Sequence, residues 1–162
     1  MNLHNIYKYG SFAHSLVAIT SLITENKFKQ FNIAHCLISI SFLLRNKNIL
    51  KTRPILYNYV AIIGHSILSY VIFKENNIIL FFGQLGMIIH YIMEIYIYKH
   101  HNKLIHTTLD ENPVIFNLYN IIIYLILSVS YTLLYLKDNN YSLIGVIILY
   151  ISFLLITFRE LN

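Results

Sequence analysis

The sequence predicts an all-α protein, a polytopic membrane bundle of six transmembrane helices. Three observations carry that expectation. Of 162 residues, 57% are apolar and 12% charged, with a mean hydropathy of +0.59, whereas an ordinary soluble chain carries roughly a quarter charged residues. The apolar residues gather into six runs, most of them near the ~20 residues that a spanning helix needs. No run alternates with period two, so a membrane barrel is not expected. The lone Cys36 excludes a disulfide scaffold and a four-cysteine zinc site. Residues 1–162 therefore read as one integral membrane domain.

Segment one runs from Tyr7 to Thr24. It has Lys8 at its start but no small-residue cleavage site, and it contains His14, so it reads as a retained span rather than a signal peptide. Segment two, Phe28 to Leu44, is the shortest, because Lys29 must reach back to the interface. Segments three and four, Ile55 to Phe73 and Ile78 to Tyr98, are separated by Lys74-Glu75-Asn76-Asn77. Segments five and six, Val114 to Leu136 and Tyr141 to Phe158, are separated by Lys137-Asp138-Asn139-Asn140. These connectors and Glu25-Asn26-Lys27 combine an acid, Asn and Lys, a composition suited to turns and helix caps. The other two connectors, Arg45 to Arg53 and Lys99 to Asn112, are longer and more basic.

With six spans, the tight turns share one face, and the long connectors and both termini share the other. The long-connector side carries eight basic residues: Lys8, Arg45, Lys47, Lys51, Arg53, Lys99, Lys103 and Arg159. The tight-turn side carries four: Lys27, Lys29, Lys74 and Lys137. The positive-inside rule then puts both termini in the cytoplasm. The net charge of +5 is explained by this topology, so the expected partner is a lipid bilayer and not nucleic acid. A homo-oligomer or a larger membrane complex fits the small size.

The chain also resembles itself, as three copies of one helical hairpin would. Pro54-Ile55-Leu56-Tyr57-Asn58 opens segment three and Pro113-Val114-Ile115-Phe116-Asn117 opens segment five, with each proline where a helix start tolerates it. Ala13-His14-Ser15 and Gly64-His65-Ser66 occupy similar places before a Glu-Asn turn. Thirty isoleucines against six valines, and nine lysines against three arginines, follow AT-rich codons. Individual Ile, Asn, Lys and Tyr residues therefore carry less information than usual. Histidine is not favoured by that bias.

His14, His35, His65 and His90 fall one in each of the first four segments. At 1.5 Å per residue they lie roughly 10, 13, 15 and 12 Å from the cytoplasmic helix ends, a layer about one turn thick near the bilayer midplane. Each shares a helix face with small or polar residues: His14 with Gly10, Ala18 and Ser21, His35 with Asn32, Cys36 and Ser39, His65 with Asn58, Ala61 and Ser69, His90 with Gly83, Met87, Glu94 and His101. Segment five continues the face with Asn117, Asn120, Tyr124, Ser128 and Tyr131, and segment six offers Ser142, Gly145 and Ser152, with Tyr150 nearby. Such faces belong inside the bundle, because lipid leaves polar groups unpaired. Glu94, the one acid within a span, needs a partner: His90 one turn away, His14, or a nearby lysine.

Four readings follow for a membrane protein with this histidine-lined interior, whose specific activity is left open. His14, His35, His65 and His90, with Glu94, suit a transition metal, and the imidazoles suit a b-type haem; the likeness to four-helix b-type cytochromes is architectural only. The same groups suit a proton or metal-ion conduit. His90 and Glu94 suit an acid–base pair in a membrane-embedded lipid-modifying enzyme. Packing histidines in a structural membrane subunit are the fourth reading. His100, His101 and His106 sit in a basic connector and read as solvated. Phosphate-binding loops, G-x-S-x-G elbows and C-x-x-C pairs are absent from the sequence.

Overall fold

A computed structural model describes residues 3–24, 29–45, 49, 53–101 and 114–159. Among these the chain is all-helical: α1 (Leu3–Thr24), α2 (Lys29–Leu44), α3 (Leu56–Lys74), α4 (Ile78–His101), α5 (Val114–Asp138) and α6 (Leu143–Arg159). Three of them, α3, α4 and α5, are long and apolar enough to cross a membrane, while α2 and α6 are shorter apolar helices. The helix ends depart from the apolar runs in both directions: α1 begins at Leu3 rather than Tyr7 and α4 continues to His101 rather than Tyr98, whereas α6 begins at Leu143 rather than Tyr141. The first tight connector, most of the Arg45–Arg53 connector and residues 102–113, with His106 and Pro113, lie outside the described residues.

The two described tight turns show why Glu-Asn-Asn and Asp-Asn-Asn recur. Asn76 and Asn139 have φ of 58° and 51°, the left-handed conformation that Asn accepts more readily than other residues with a side chain, and so end α3 and α5. The second asparagine of each pair starts the next helix. Asn77 Oδ1 accepts the Leu80 N–H, and Asn140 Oδ1 accepts both the N–H and the hydroxyl of Ser142.

Neighbours in sequence are neighbours in space, and α6 packs on α1 to close a ring of six. Every seam is antiparallel. Ser11 meets Ser39 where His14 meets His35 on α1 and α2. Asn58 meets Glu94 where His65 meets Gln84 on α3 and α4. On α4 and α5, Tyr119 donates to the Gly86 carbonyl at 2.6 Å. A Cβ on Gly86 would stand 2.2 Å from Ile123 Cδ1, so any larger residue there would force the Ile123 side chain to shift.

Aromatic rings fill the middle of the ring of helices. Tyr124 packs on Phe153 and Tyr150 with centroids 5.3 and 6.3 Å apart, Tyr131 on Tyr150 at 5.7 Å, and Phe42 on Phe153 at 6.2 Å. The polar distribution is reversed relative to a soluble protein. His14, His35, His65, His90, Gln84, Glu94, Asn58 and Asn120 are buried, whereas Phe12, Ile19, Ile40, Ile63, Phe82, Ile122, Ile148 and Leu155 are exposed. An outer surface this apolar is far larger than the patches a soluble monomer leaves exposed. Hydroxyls near that surface return to their own helix: Thr20 bonds the Leu16 carbonyl and Ser152 the Ile148 carbonyl.

Candidate functional site

The buried polar groups form three clusters. The largest lies toward the end of the bundle where α2 and α4 finish and α1, α3 and α5 begin. Glu94, seven residues before the end of α4, accepts a hydrogen bond from Asn58 Nδ2 of α3. Its other oxygen takes His90 Nε2 at 3.0 Å, one helical turn back. The opposite edge of His90 meets Asn120 Oδ1 of α5 at 2.7 Å. Arg45, the first residue after α2, turns inward rather than toward water, and its Nη2 stands 3.6 Å from Glu94 Oε2. Four rings surround the guanidinium: Tyr57 at 4.2 Å, Tyr7 at 4.8 Å, Tyr91 at 5.6 Å and Phe42 at 5.9 Å from Cζ. A buried ion pair survives only where further bonds and polarisable neighbours compensate for lost hydration, and both are present.

The second cluster joins α1 and α2. His14 Nδ1 and His35 Nδ1 are 2.9 Å apart, with the rings stacked at 5.1 Å. One imidazole therefore donates and the other accepts. Next to them Ser39 bonds both Ser11 and Ser15 hydroxyls. The third cluster crosses three helices. His65 Nδ1 donates to Gln84 Oε1 at 2.6 Å, and Gln84 Nε2 donates to the Tyr131 hydroxyl at 3.1 Å. Tyr91 separates this cluster from the first, its ring 5.6 Å from His65 and 4.9 Å from His90. The Nε2 atoms of His14, His35 and His65 are buried with no hydrogen-bond partner.

The four histidines and Glu94 are thus all inside, each at most 3% exposed, but they do not form one ligand set. His14 meets His35 and His90 meets Glu94, while His65 turns to Gln84. No group of three or more metal-binding side chains exists among the described residues. The direct Nδ1–Nδ1 bond between His14 and His35 also leaves no gap for a porphyrin between those two nitrogens. Glu94 finds Arg45 rather than His14 or a lysine. On α4 and α5 the polar face expected from the sequence is buried as Met87, His90, Glu94, Asn117, Asn120, Tyr124 and Ser128, whereas Cys36 of α2, expected on the inward face beside His35, is exposed.

Sequence reasoning missed two residues that matter. Arg45 counts in the sequence only as a flanking charge, since a basic residue directly after an apolar run normally reaches for water. Gln84 is not marked by any motif. Its only signal is position: it is the seventh residue of α4, as His35 is the seventh of α2. Comparison with known families, curated proteins and solved structures gives no match. The fold and the membrane-length helices define the class, an all-helical protein of membrane type, and the interior must speak for the activity.

Proposed function

We propose that this chain is a six-span membrane protein, with both termini cytoplasmic, whose buried imidazoles relay protons through the bundle. The observation that carries the reading is the buried chain Asn120–His90–Glu94–Asn58. Intramembrane His and Glu are costly to keep and mark proton paths where they are retained. The His90 geometry serves two protonation states with the same heavy-atom positions. An imidazolium donates from both edges, to Glu94 and to Asn120 Oδ1. A neutral ring donates to Glu94 and accepts from Asn120 once that amide turns over. Tyr91 then lies between His90 and His65, and the unpartnered Nε2 atoms of His65, His14 and His35 are the kind of buried polar group that holds ordered water.

The membrane reading rests on the apolar outer surface and on aromatic residues near both ends, with Tyr70 and Tyr141 exposed at one and Tyr59 and Tyr96 at the other. With Arg45 paired to Glu94, the long-connector side of the sequence still carries seven other basic residues against four. The hairpin repeat is supported by His14 opposite His35 in the first hairpin and His65 opposite Gln84 in the second. The lipid bilayer is the partner this reading requires. A bound metal or haem is the weaker reading, since the imidazoles pair with different groups.

The test is proton flux. Purified protein in liposomes containing a pH-sensitive dye, driven by a potassium diffusion potential, should acidify the lumen faster than protein-free vesicles. His90→Phe and Glu94→Gln should return the flux to the protein-free level. Wild-type flux equal to that of empty vesicles would refute the relay. Reporter fusions at Lys51 and Asn76 should land on opposite sides of the membrane; the same side for both would refute the six-span topology.

A further inference from the structure

The surroundings of Arg45 are more than the relay requires. Tyr7, Phe42, Tyr57 and Tyr91 come from four different helices and face one guanidinium. Glu94 closes the head of the space, and Asn58 Oδ1 beside it is buried without a partner. Rings on several sides with one carboxylate are the elements by which proteins recognise organic cations, through the negative faces of the rings and a single opposing charge.

Arg45 is an imperfect occupant. A structural arginine beside a buried carboxylate normally makes two parallel hydrogen bonds. Here the approach is 3.6 Å, longer than a hydrogen bond, the guanidinium's hydrogen bonds go to the Tyr7 and Tyr91 side chains instead of the carboxylate, and Nε is buried with no partner. The residue is also the first beyond α2, held there by a turn bond of its N–H to the Phe42 carbonyl at 3.3 Å. Tyr7 is the fifth residue of α1 and Tyr57 the second of α3, so the cage lies at the end of the bundle, within reach of the aqueous side.

We propose that the aromatic cage around Arg45 is a binding site for an organic monocation of guanidinium or quaternary ammonium type, with Arg45 as its tethered occupant. An incoming cation displaces the Arg45 side chain outward, takes its place over the four rings and leaves Glu94 paired throughout. A compact, strongly hydrated alkali ion gains little from the same rings, because it must shed its water to reach them.

The experiment titrates tetramethylammonium into the full-length protein in non-ionic maltoside micelles and follows the methyl proton resonance, which aromatic rings move upfield. Arg45→Ala should bind it saturably. Wild type should bind at the same site roughly ten- to a hundred-fold more weakly, because a tethered side chain competes at a high effective concentration. Adding Glu94→Gln to Arg45→Ala should weaken binding again, and tert-butanol, of similar shape but neutral, should not bind. Arg45→Gln, which removes the competing charge but keeps a polar side chain, serves the same titration if Arg45→Ala does not fold. No saturable binding by the variant overturns the proposal. So does equal binding of tert-butanol, or a wild type that does not bind even ~100-fold above the variant's Kd. Proton flux is a separate readout, so failure of the relay and failure of the cage are distinguishable.

Discussion

Removing either partner of the Arg45–Glu94 pair should cost far more than removing both. The two side chains are 4% and 2% exposed and stand 3.6 Å apart. At an effective dielectric of about 20, unit charges at that distance attract by about 5 kcal/mol. Each charge has also surrendered its hydration, so deleting one partner strands the other, at a typical cost of ~3–5 kcal/mol. Arg45→Met leaves Glu94 among Asn58, His90 and the Tyr57 hydroxyl without its counter-charge, and Glu94→Leu leaves a guanidinium whose remaining neighbours are neutral tyrosines and a phenylalanine. The double variant Arg45→Met/Glu94→Leu strands no charge and should lie within ~1–2 kcal/mol of wild type, because well-packed apolar replacements of buried pairs are often close to neutral. The coupling energy is then about 4 kcal/mol or more. Reversible unfolding of the four proteins in mixed micelles, followed by helical ellipticity, measures it. Additive costs, or single variants each costing under about 1 kcal/mol, would show that water screens the pair despite its burial.

Other outcomes follow from the packing. Gly86→Ala should destabilise the bundle by about 1–3 kcal/mol, since its Cβ falls 2.2 Å from Ile123 Cδ1, and Ile123→Val should recover part of the loss; a neutral Gly86→Ala would disprove the close α4–α5 seam. Tyr119→Phe removes the hydroxyl that bonds the Gly86 carbonyl and should cost about 0.5–1.5 kcal/mol in the same unfolding assay. A spin label on Cys36, whose side chain is exposed, should collide with dissolved oxygen in liposomes but not with a water-soluble nickel complex. The reverse pattern would place that face of α2 in water.

The positions of the helices were legible in the sequence because their causes are local. An apolar run marks where a helix lies to within a few residues at its ends, and Asn76-Asn77 and Asn139-Asn140 set the turns through their own side chains and backbone. That the polar faces point inward was legible too, since the cost of a bare polar group in an apolar surrounding is the same whichever neighbour relieves it. His14, His35, His65, His90 and Glu94 are all buried on that account.

What each buried group meets was decided only by the tertiary structure. Two histidines at similar depth on adjacent helices meet or miss according to how each helix is rotated about its axis. Rotation is fixed by contacts such as Gly64 against Ile38 and Gly86 against Ile123, between residues far apart in the chain. His14 therefore finds His35, while His65 finds Gln84 and not a third imidazole. Arg45 shows the same limit most plainly. In sequence it is a charge at the end of an apolar run; in the fold, four rings from four helices and a carboxylate assemble around it. A ring of six helices brings together residues from position 7 to position 94 whose attraction exists only once the ring has closed.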